Sequence, residues 1–365
     1  MGTILVVGAG FAGSVVAREL ADAGKSVLVI DKRNHIGGNA YDELDSNGIL
    51  VHRYGPHIFH TNSKQVFDYL SRFTGWRKYE HRVMSCVDGI MYPFPVNRLT
   101  LNQVFGVNLP ESKVQSFLDC IRRTDITRPQ NTEELVLSTL GERLYKLFYY
   151  EYTRKQWGLE PRELKTSVAA RIPVRTNDDD RYFTDAYQAM PDNGYTCLFK
   201  KLLDSPNIEV RLNTHFLLLD HNQKFEHVFY TGPIDEYFRH SFGKLPYRSL
   251  RFEHYHYSEK DSLLPTATVN YPNENAITRA TEFKKITGQL VRGTSIVREY
   301  PVAHGDPYYP IPTDENEELY RKYRHLSNQN KDVTFLGRLG RYKYYNMDQV
   351  VAEALTVADL YLEGG

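Results

Sequence analysis

The stretch TILVVGAGFAGSVVARELADAGKSVLVID, residues 3–31, decides how this chain begins to fold. Thr3 to Val7 is a short, β-branched apolar run, and Gly8-Ala9-Gly10-Phe11-Ala12-Gly13 follows it directly. Val15, Val16, Leu20 and Ala23 then recur at helical spacing until Gly24. Ser26 to Ile30 is a second apolar run, closed by Asp31. Strand, glycine-rich turn, helix and strand within about 30 residues form the opening unit of a doubly wound parallel sheet.

The glycines carry chemistry as well as geometry. A G-x-G-x-x-G turn lets the backbone approach a pyrophosphate closely and delivers it to a helix N-terminus, where free N–H groups and the dipole favour negative charge. Alone the pattern is weak. Here a strand precedes it, a helix follows it, and Asp31 lies 18 residues after Gly13, placed to accept hydrogen bonds from an adenosine ribose. An acid at that position argues against a 2′-phosphate and leaves FAD or NAD. A second glycine pair, Gly37-Gly38, follows the ribose strand within Lys32 to Tyr41, where an FAD enzyme of the glutathione-reductase-like fold runs along the pyrophosphate. FAD is therefore the expected cofactor, held by Gly8, Gly10, Phe11, Gly13, Asp31, Lys32 and Asn39. Near the C-terminus Val333 to Leu336 reads as a strand, and Gly337-Arg338 opens a turn before a helix over Met347 to Leu362. That turn is expected to add a second N–H contact to the flavin's ribityl and pyrophosphate.

Between these ends the organisation changes. Lys64 to Phe73 predicts an amphipathic helix capped by Asn62 or Ser63, and Arg82 to Pro95 a hairpin turning at Asp88-Gly89. Thr100 to Gly158 predicts helices, with a break near Gly141. Strands are expected at Glu209 to Leu212, His227 to Tyr230, Leu250 to Tyr257 and Ala267 to Asn270, with a helix at Thr196 to Leu203. The fold class is α/β. A glutathione-reductase-like, Rossmann-like FAD domain is assembled from residues 1–80, about 195–245 and 310–365. A small helical bundle takes about 96–165, and an antiparallel β-sheet domain takes about 81–95, 166–194 and 246–309.

Composition excludes several function classes. Among 365 residues, 45 Lys and Arg balance 45 Asp and Glu, so no overall charge draws the chain to nucleic acid or an anionic membrane. Any anion it binds must meet a local cluster. The longest apolar runs, Ile4 to Val7 and Phe216 to Leu219, fall far short of the roughly 20 residues of a membrane span. Cys86, Cys120 and Cys197 are scattered, with no disulfide framework or zinc spacing, and no basic region precedes the first apolar run. A cytoplasmic protein is the expectation. Tyrosine is in excess, at 27 residues, which suits either a polar ring-binding cleft or core filling.

His57 and His60 are three apart in a segment that reads as extended, Val51 to Phe59, so they are expected on opposite faces and not on a shared metal. No other metal-ligand spacing is present in the sequence. Asp178-Asp179-Asp180 reads as a solvated loop and not as a catalytic set, and Arg171 to Arg181 as a mobile lid.

Eight ordered blocks carry a resemblance: residues 33–41 (RNHIGGNAY), 54–61 (YGPHIFHT), 152–158 (YTRKQWG), 171–175 (RIPVR), 230–235 (YTGPID), 247–253 (YRSLRFE), 308–310 (YYP) and 337–348 (GRLGRYKYYNMD). On these the chain resembles the prokaryotic UDP-galactopyranose mutase family over essentially its whole length. The resemblance implies an isomerase that interconverts UDP-galactopyranose and UDP-galactofuranose, a precursor for cell-surface polysaccharide. It implies FAD that is active when reduced and acts as a nucleophile at the anomeric carbon, with no net redox. An external reductant such as NAD(P)H or a flavin reductase, and a homodimer, belong to the same implication. Arg171 and Arg279 match the arginines aimed at the UDP diphosphate, and His60 lies against the flavin in a supporting catalytic role. Tyr182, Tyr309 and Tyr344 match residues around the diphosphate and sugar, Tyr152 one that stacks on uracil, and Trp157 a substrate-site tryptophan. Arg248 and Asn346 complete the substrate set, and His57, Arg338 and Met347 the cofactor set. Many family members have Asp where Asn346 stands, so the sugar is open: UDP-N-acetylgalactosamine and dTDP-fucose are alternatives. An amine-oxidase-like FAD redox enzyme and a nucleotide-binding scaffold without turnover are the rival classes.

Overall fold

The computed structural model describes residues 2–220, 224–274 and 276–364. The opening unit folds as its sequence dictates: strand Ile4–Val7, helix Phe11–Asp22, strand Val27–Ile30. The five-stranded sheet built on it runs Ile208–Arg211, Val27–Ile30, Ile4–Val7, Val228–Tyr230, Val333–Phe335, and every pair is parallel. Its two central strands are buried at every residue because helices cover both faces. Ile4, Val6, Val27 and Val29 pack with Val15, Val16 and Leu20 and with Val351, Ala354 and Leu355 of the C-terminal helix Met347–Gly364. Leu5, Val7, Leu28 and Ile30 point the other way, toward Tyr230, Phe335 and Tyr323 of helix Asp314–Gln329.

Gly13 shows why its position admits no side chain: a Cβ there would lie 1.9 Å from the Gly8 carbonyl oxygen. It fastens helix to strand.

A second sheet has seven strands, in the order Tyr309–Pro310, Tyr247–Tyr257, Thr294–Val302, Arg279–Glu282, Thr268–Asn270, Val83–Val87, Ile90–Phe94. It is antiparallel except where Thr268–Asn270 pairs parallel with Val83–Val87. The expected antiparallel sheet is present, with this one parallel pairing in it. The two strands come from distant parts of the chain, so no hairpin forces them antiparallel. The hairpin at Asp88-Gly89 forms with both residues at positive φ. Strands Arg279–Glu282 and Thr294–Val302 carry no counterpart among the sequence expectations.

The helical segment packs Leu101, Val114, Leu118, Leu140, Leu144 and Phe148 into a core shared with Val83, Val87, Tyr92 and Phe94 of the sheet's hairpin. Its break falls at Gly141, with φ +78°, where a Cβ would lie 2.1 Å from the Ile121 carbonyl oxygen. A π-helical turn, Tyr145–Tyr150, leads into helix Glu151–Trp157, which Gly158 ends. Helix Lys64–Ser71 is capped by Ser63, whose Oγ accepts from the Val66 N–H, while Asn62 serves elsewhere. A small sheet of Phe59–Thr61, Tyr187–Pro191 and Trp76–Lys78 joins these parts. Among the described residues no helix is long and apolar enough to cross a membrane.

Candidate active site

Two cavities meet in this framework. The first lies over the glycine turn and is lined by Gly8, Gly10, Phe11, Asp31, Lys32 and Asn39, with Gly37 and Gly38 opposite. Its floor is close-packed backbone: a Cβ on Gly38 would lie 3.0 Å from the Gly10 Cα, and one on Gly8 would lie 2.1 Å from the Thr231 hydroxyl. Asp31 ends its strand at the cavity wall, where its carboxylate accepts from the Ala9 and Arg33 N–H groups at 2.8 and 2.9 Å. A carboxylate has about four lone-pair positions, so acceptor capacity remains for two ribose hydroxyls. This is a dinucleotide cradle, and the residues present fit the adenosine and pyrophosphate of a bound FAD.

Two cofactor expectations are corrected here. Gly13 does not line the cavity and serves helix–strand packing. The Gly337 N–H does not point to a ligand either, because it donates to the Glu353 carboxylate at 2.8 Å. Arg338 does reach the site. It is anchored by donation to the Tyr345 and Tyr308 carbonyls at 2.7 and 3.2 Å.

The second cavity, of about 460 Å³, is a cleft between the helical segment and the seven-stranded sheet. Asn39, His57, Arg338 and Met347 line both cavities, so the two open onto each other. Tyr152, Trp157, Arg171, Tyr182, Arg279, Tyr309, Tyr344, Asn346 and His60 all line the cleft, brought from seven separate stretches of chain. Helix Glu151–Trp157 presents Tyr152 and Trp157 together, and strand Arg279–Glu282 presents Arg279 at its first residue.

The cleft wall alternates cations and rings. The Arg171 guanidinium lies 4.0 Å over the Tyr344 ring, and that of Arg338 lies 5.2 Å from Tyr344 and 5.6 Å from Tyr309. Tyr309 and Tyr344 stack at 5.1 Å, with Trp157 about equally far from both, at 6.2 and 6.3 Å. Burial pushes the Tyr344 phenol up, but Arg171, Arg338 and Arg279 outweigh it and hold the phenol below its ordinary range. Arg279 donates to the Tyr152 hydroxyl at 2.7 Å, and its Nε sits 3.9 Å from the Glu299 carboxylate. Burial opposes the Arg279 charge, while Tyr152 and Glu299 secure it. Burial raises the Glu299 carboxyl, and Arg279 works against that rise. One oxygen of Glu299 and the Asn270 amide oxygen are buried without a hydrogen-bond partner in the protein. Both residues line the cleft.

Arg248 is not a cleft residue. Its buried guanidinium donates to the Gln156 and Lys155 carbonyls at 2.9 and 3.1 Å, closing the C-terminal end of the helix that carries Tyr152 and Trp157. Helix ends leave carbonyls unpaired, and a guanidinium satisfies two at once.

His57 and His60 are also corrected. The chain turns at Arg53–Gly55, with Gly55 at φ +82°, and residues 56–58 are irregular before strand Phe59–Thr61, so strand alternation does not relate His57 to His60, and both imidazoles line the cleft. Their Nδ1 atoms bond to different partners, the Gly55 carbonyl and Asp185.

The acidic run is paired and not merely solvated: Asp178 with Arg98, Asp179 with Arg181, Asp180 with Arg82. Backbone bonds from Arg175 to Val96, from Arg98 to Asn177 and from Tyr182 to His81 fasten the expected lid along most of its length. Asn346 immediately precedes helix Met347–Gly364, where Asn and Asp are both favoured caps, and its N–H donates to the Gln349 side chain at 2.9 Å.

Sequence reasoning missed His81, Phe183, Asp185, Asn270 and Glu299, all of which line the cleft. Glu299 and Asn270 face Arg279 across adjacent strands, in register, and only the strand pairing makes them neighbours.

Comparison with known proteins agrees with this geometry. The profile of the UDP-galactopyranose mutase family matches residues 147–344, and that of an NAD(P)-binding Rossmann-like domain matches residues 6–73. A probable UDP-galactopyranose mutase of Klebsiella pneumoniae is 40% identical, covering 98% of this chain and 94% of its own. A dTDP-fucopyranose mutase of Escherichia coli is 38% identical, covering 100% and 99%. The crystal structure of a reduced UDP-galactopyranose mutase shares the fold, with a TM-score of 0.80 over 100% of this chain and 96% of that one at 18% identity. On this extent of similarity, the chain belongs to the UDP-galactopyranose mutase family.

Proposed function

We propose that this chain interconverts UDP-galactopyranose and UDP-galactofuranose, using bound FAD in its reduced form and consuming no reductant per turnover. One observation carries the reading: the dinucleotide cradle opens through Asn39, His57, Arg338 and Met347 into a cleft lined by arginine and tyrosine. A redox site for an amine needs no such cation cluster. When bound, reduced FAD supplies a nucleophilic nitrogen for the anomeric carbon of the sugar.

The protein's part is to hold the nucleotide and to stabilise charge as the diphosphate departs. Arg171 and Arg279 face the diphosphate, and each attraction is worth about 4 kcal/mol at about 4 Å and an effective dielectric of about 20, before desolvation. The lowered Tyr344 phenol makes a stronger donor to phosphate oxygen, and Tyr182 and Tyr309 add hydroxyls beside it. Tyr152 gives uracil a face to stack on, held in place by Arg279. Trp157 backs the tyrosine pair, and His60 faces the sugar end. The cofactor set is Gly8, Gly10, Phe11, Asp31, Lys32, Asn39, His57, Arg338 and Met347. The reading takes the protein as a cytoplasmic homodimer supplied with electrons by NAD(P)H or a flavin reductase.

A second sugar is favoured by one residue. Asn346 stands in the cleft where the family resemblance implies Asp, and the Escherichia coli relative is named for dTDP-fucopyranose. The test is chromatography of UDP-galactose, UDP-N-acetylgalactosamine and dTDP-fucose after incubation with dithionite-reduced and with oxidised enzyme. Conversion by the reduced enzyme alone is expected. Silence toward every hexose nucleotide, or peroxide formed in proportion to substrate, refutes the proposal.

A further inference from the structure

We infer that Asp185 is a positioning residue for His60, fixing the imidazole in the Nδ1–H form so that its Nε2 lone pair serves a hydrogen-bond donor in the cleft. On the mutase reading, on which this inference rests, that donor is a hydroxyl of the sugar.

The observations are independent of one another. His60 Nδ1 lies 3.0 Å from Asp185 Oδ2. An ionised carboxylate only accepts, so Nδ1 carries the hydrogen, and in the neutral imidazole Nε2 keeps its lone pair. Among the described residues Nε2 has no protein partner, while both side chains line the cleft. The His60 ring stacks face to face on Phe183, centroids 3.6 Å apart and 13° from parallel, so turning the ring to offer the other nitrogen gives up this stack on the way.

Asp185 is itself held on three sides. Its other oxygen accepts from Asn62 Nδ2 at 3.1 Å. Asn62 in turn accepts from the Ala186 N–H at 2.9 Å, which settles the orientation of its amide. The Gln188 amide, paired in register with His60, donates to the Asp185 and Phe183 carbonyls at 2.9 and 3.3 Å and shapes the loop between them. The side chains are only 13% and 21% exposed. A chance surface ion pair has neither the stack nor the buttress, and long exposed pairs contribute little. A carboxylate that orients an imidazole through Nδ1 is a recurring device wherever the other nitrogen must meet a ligand.

The experiment measures the tautomer and the turnover separately. In the flavin-loaded protein labelled with 15N-histidine, the His60 resonance, identified by its loss in His60→Gln, is expected to show a protonated Nδ1 and an unprotonated Nε2. Asp185→Asn presents an amide N–H to Nδ1 and is expected to move the proton to Nε2. It should lower kcat about tenfold to a hundredfold, with KM changed by less than about twofold and flavin retained. In a His60→Ala background the same substitution is expected to change nothing further. A wild-type His60 protonated at Nε2 overturns the inference, as does an Asp185→Asn effect undiminished by His60→Ala. If Asp185→Asn loses its flavin, Asn62→Ala, which loosens the carboxylate and frees the Ala186 N–H, is expected to lower kcat in the same direction by a smaller factor, and unchanged turnover then overturns it. The tautomer is read without any turnover, so a protein that converts no sugar nucleotide but shows Nδ1–H refutes the mutase reading and not this one.

Discussion

Replacing Arg279 by Met separates the charge the substrate needs from the packing the fold needs. Met keeps most of the side-chain volume and removes three interactions: the bond to the Tyr152 hydroxyl at 2.7 Å, the Glu299 contact at 3.9 Å, and the proposed diphosphate contact. The gross Coulomb attraction to phosphate is about 4 kcal/mol. A charge-assisted hydrogen bond contributes about 1.5–3 kcal/mol net. At about 1.4 kcal/mol per decade, turnover should fall about tenfold to a hundredfold, approaching a thousandfold if little of the gross term is lost to desolvation. Stability responds differently. Loss of one partner of a buried pair costs about 3–5 kcal/mol when the survivor stays charged. Glu299 escapes part of that cost, because burial already raises its carboxyl and removal of Arg279 frees it to keep a proton. The double variant Arg279→Met/Glu299→Gln should therefore recover melting temperature without recovering turnover. The assay is chromatography of the sugar nucleotide with dithionite-reduced enzyme, beside the flavin absorbance of the purified protein. Turnover within about threefold of wild type, or loss of the yellow flavin, refutes the reasoning, since Arg279 lines the cleft and not the cofactor cavity.

Arg248→Met should lower stability by about 1–3 kcal/mol per carbonyl left unpaired, measured by urea unfolding, while UDP affinity by calorimetry changes far less than in Arg171→Ala. Asp179 carries an acid-dependent contribution. Its bidentate bond to Arg181 leads the influences that hold its carboxyl down at about 2, so the stabilisation is complete above the unfolded value of 3.8 and is lost as pH falls through about 2. The melting temperature of Asp179→Asn should lie below wild type at neutral pH and converge on it by about pH 2. Asn346→Asp adds a negative charge at the first turn of the last helix and should raise stability by about 0.3–1 kcal/mol, and it should change the ratio of turnover on UDP-galactose to that on dTDP-fucose. An unchanged ratio would remove Asn346 from sugar selection.

Legibility in the sequence follows the distance over which a feature is determined. The strand, glycine turn, helix and Asp31 are local, and Gly13 answers to a contact within the same unit, the Gly8 carbonyl. The parallel sheet followed from them, since a strand buried on both faces reads as an unbroken apolar run. Thr294–Val302 was harder: Arg298 and Glu299 interrupt its apolar residues, and Pro301 sits where a central strand is not expected. Residue type could not tell Arg248 from Arg279. Both stand in strands, but one folds back to helix carbonyls and the other faces the cleft. Strand alternation does not apply to the two histidines, because His60 stands in strand Phe59–Thr61 while His57 lies in the irregular stretch before it. Asp185, 125 residues beyond His60, becomes its neighbour only once Phe59–Thr61 pairs with Tyr187–Pro191.

The balance of 45 cations against 45 anions conceals how this chain keeps positive charge available to a diphosphate. Arg171, Arg279 and Arg338 line one cleft, where Glu299 and Asp185 are the carboxylates that accompany them. Three guanidiniums so close repel one another, and the usual remedy of pairing each with a carboxylate would cancel the charge the substrate requires. For Arg171 and Arg338 aromatic faces stand in for carboxylates, while Arg279 keeps Glu299. Arg171 rests on Tyr344, and Arg338 on Tyr344 and Tyr309, so each is partnered by a quadrupole that holds it without neutralising it. Phenol hydroxyls then add donors where a carboxylate would add only acceptors. Seven of the 27 tyrosines line this cleft: Tyr54, Tyr149, Tyr152, Tyr182, Tyr308, Tyr309 and Tyr344. For Tyr152, Tyr309 and Tyr344 the excess is the means of holding cations for an anion in a protein with no net charge, while others, such as Tyr195 and Tyr323, fill the core.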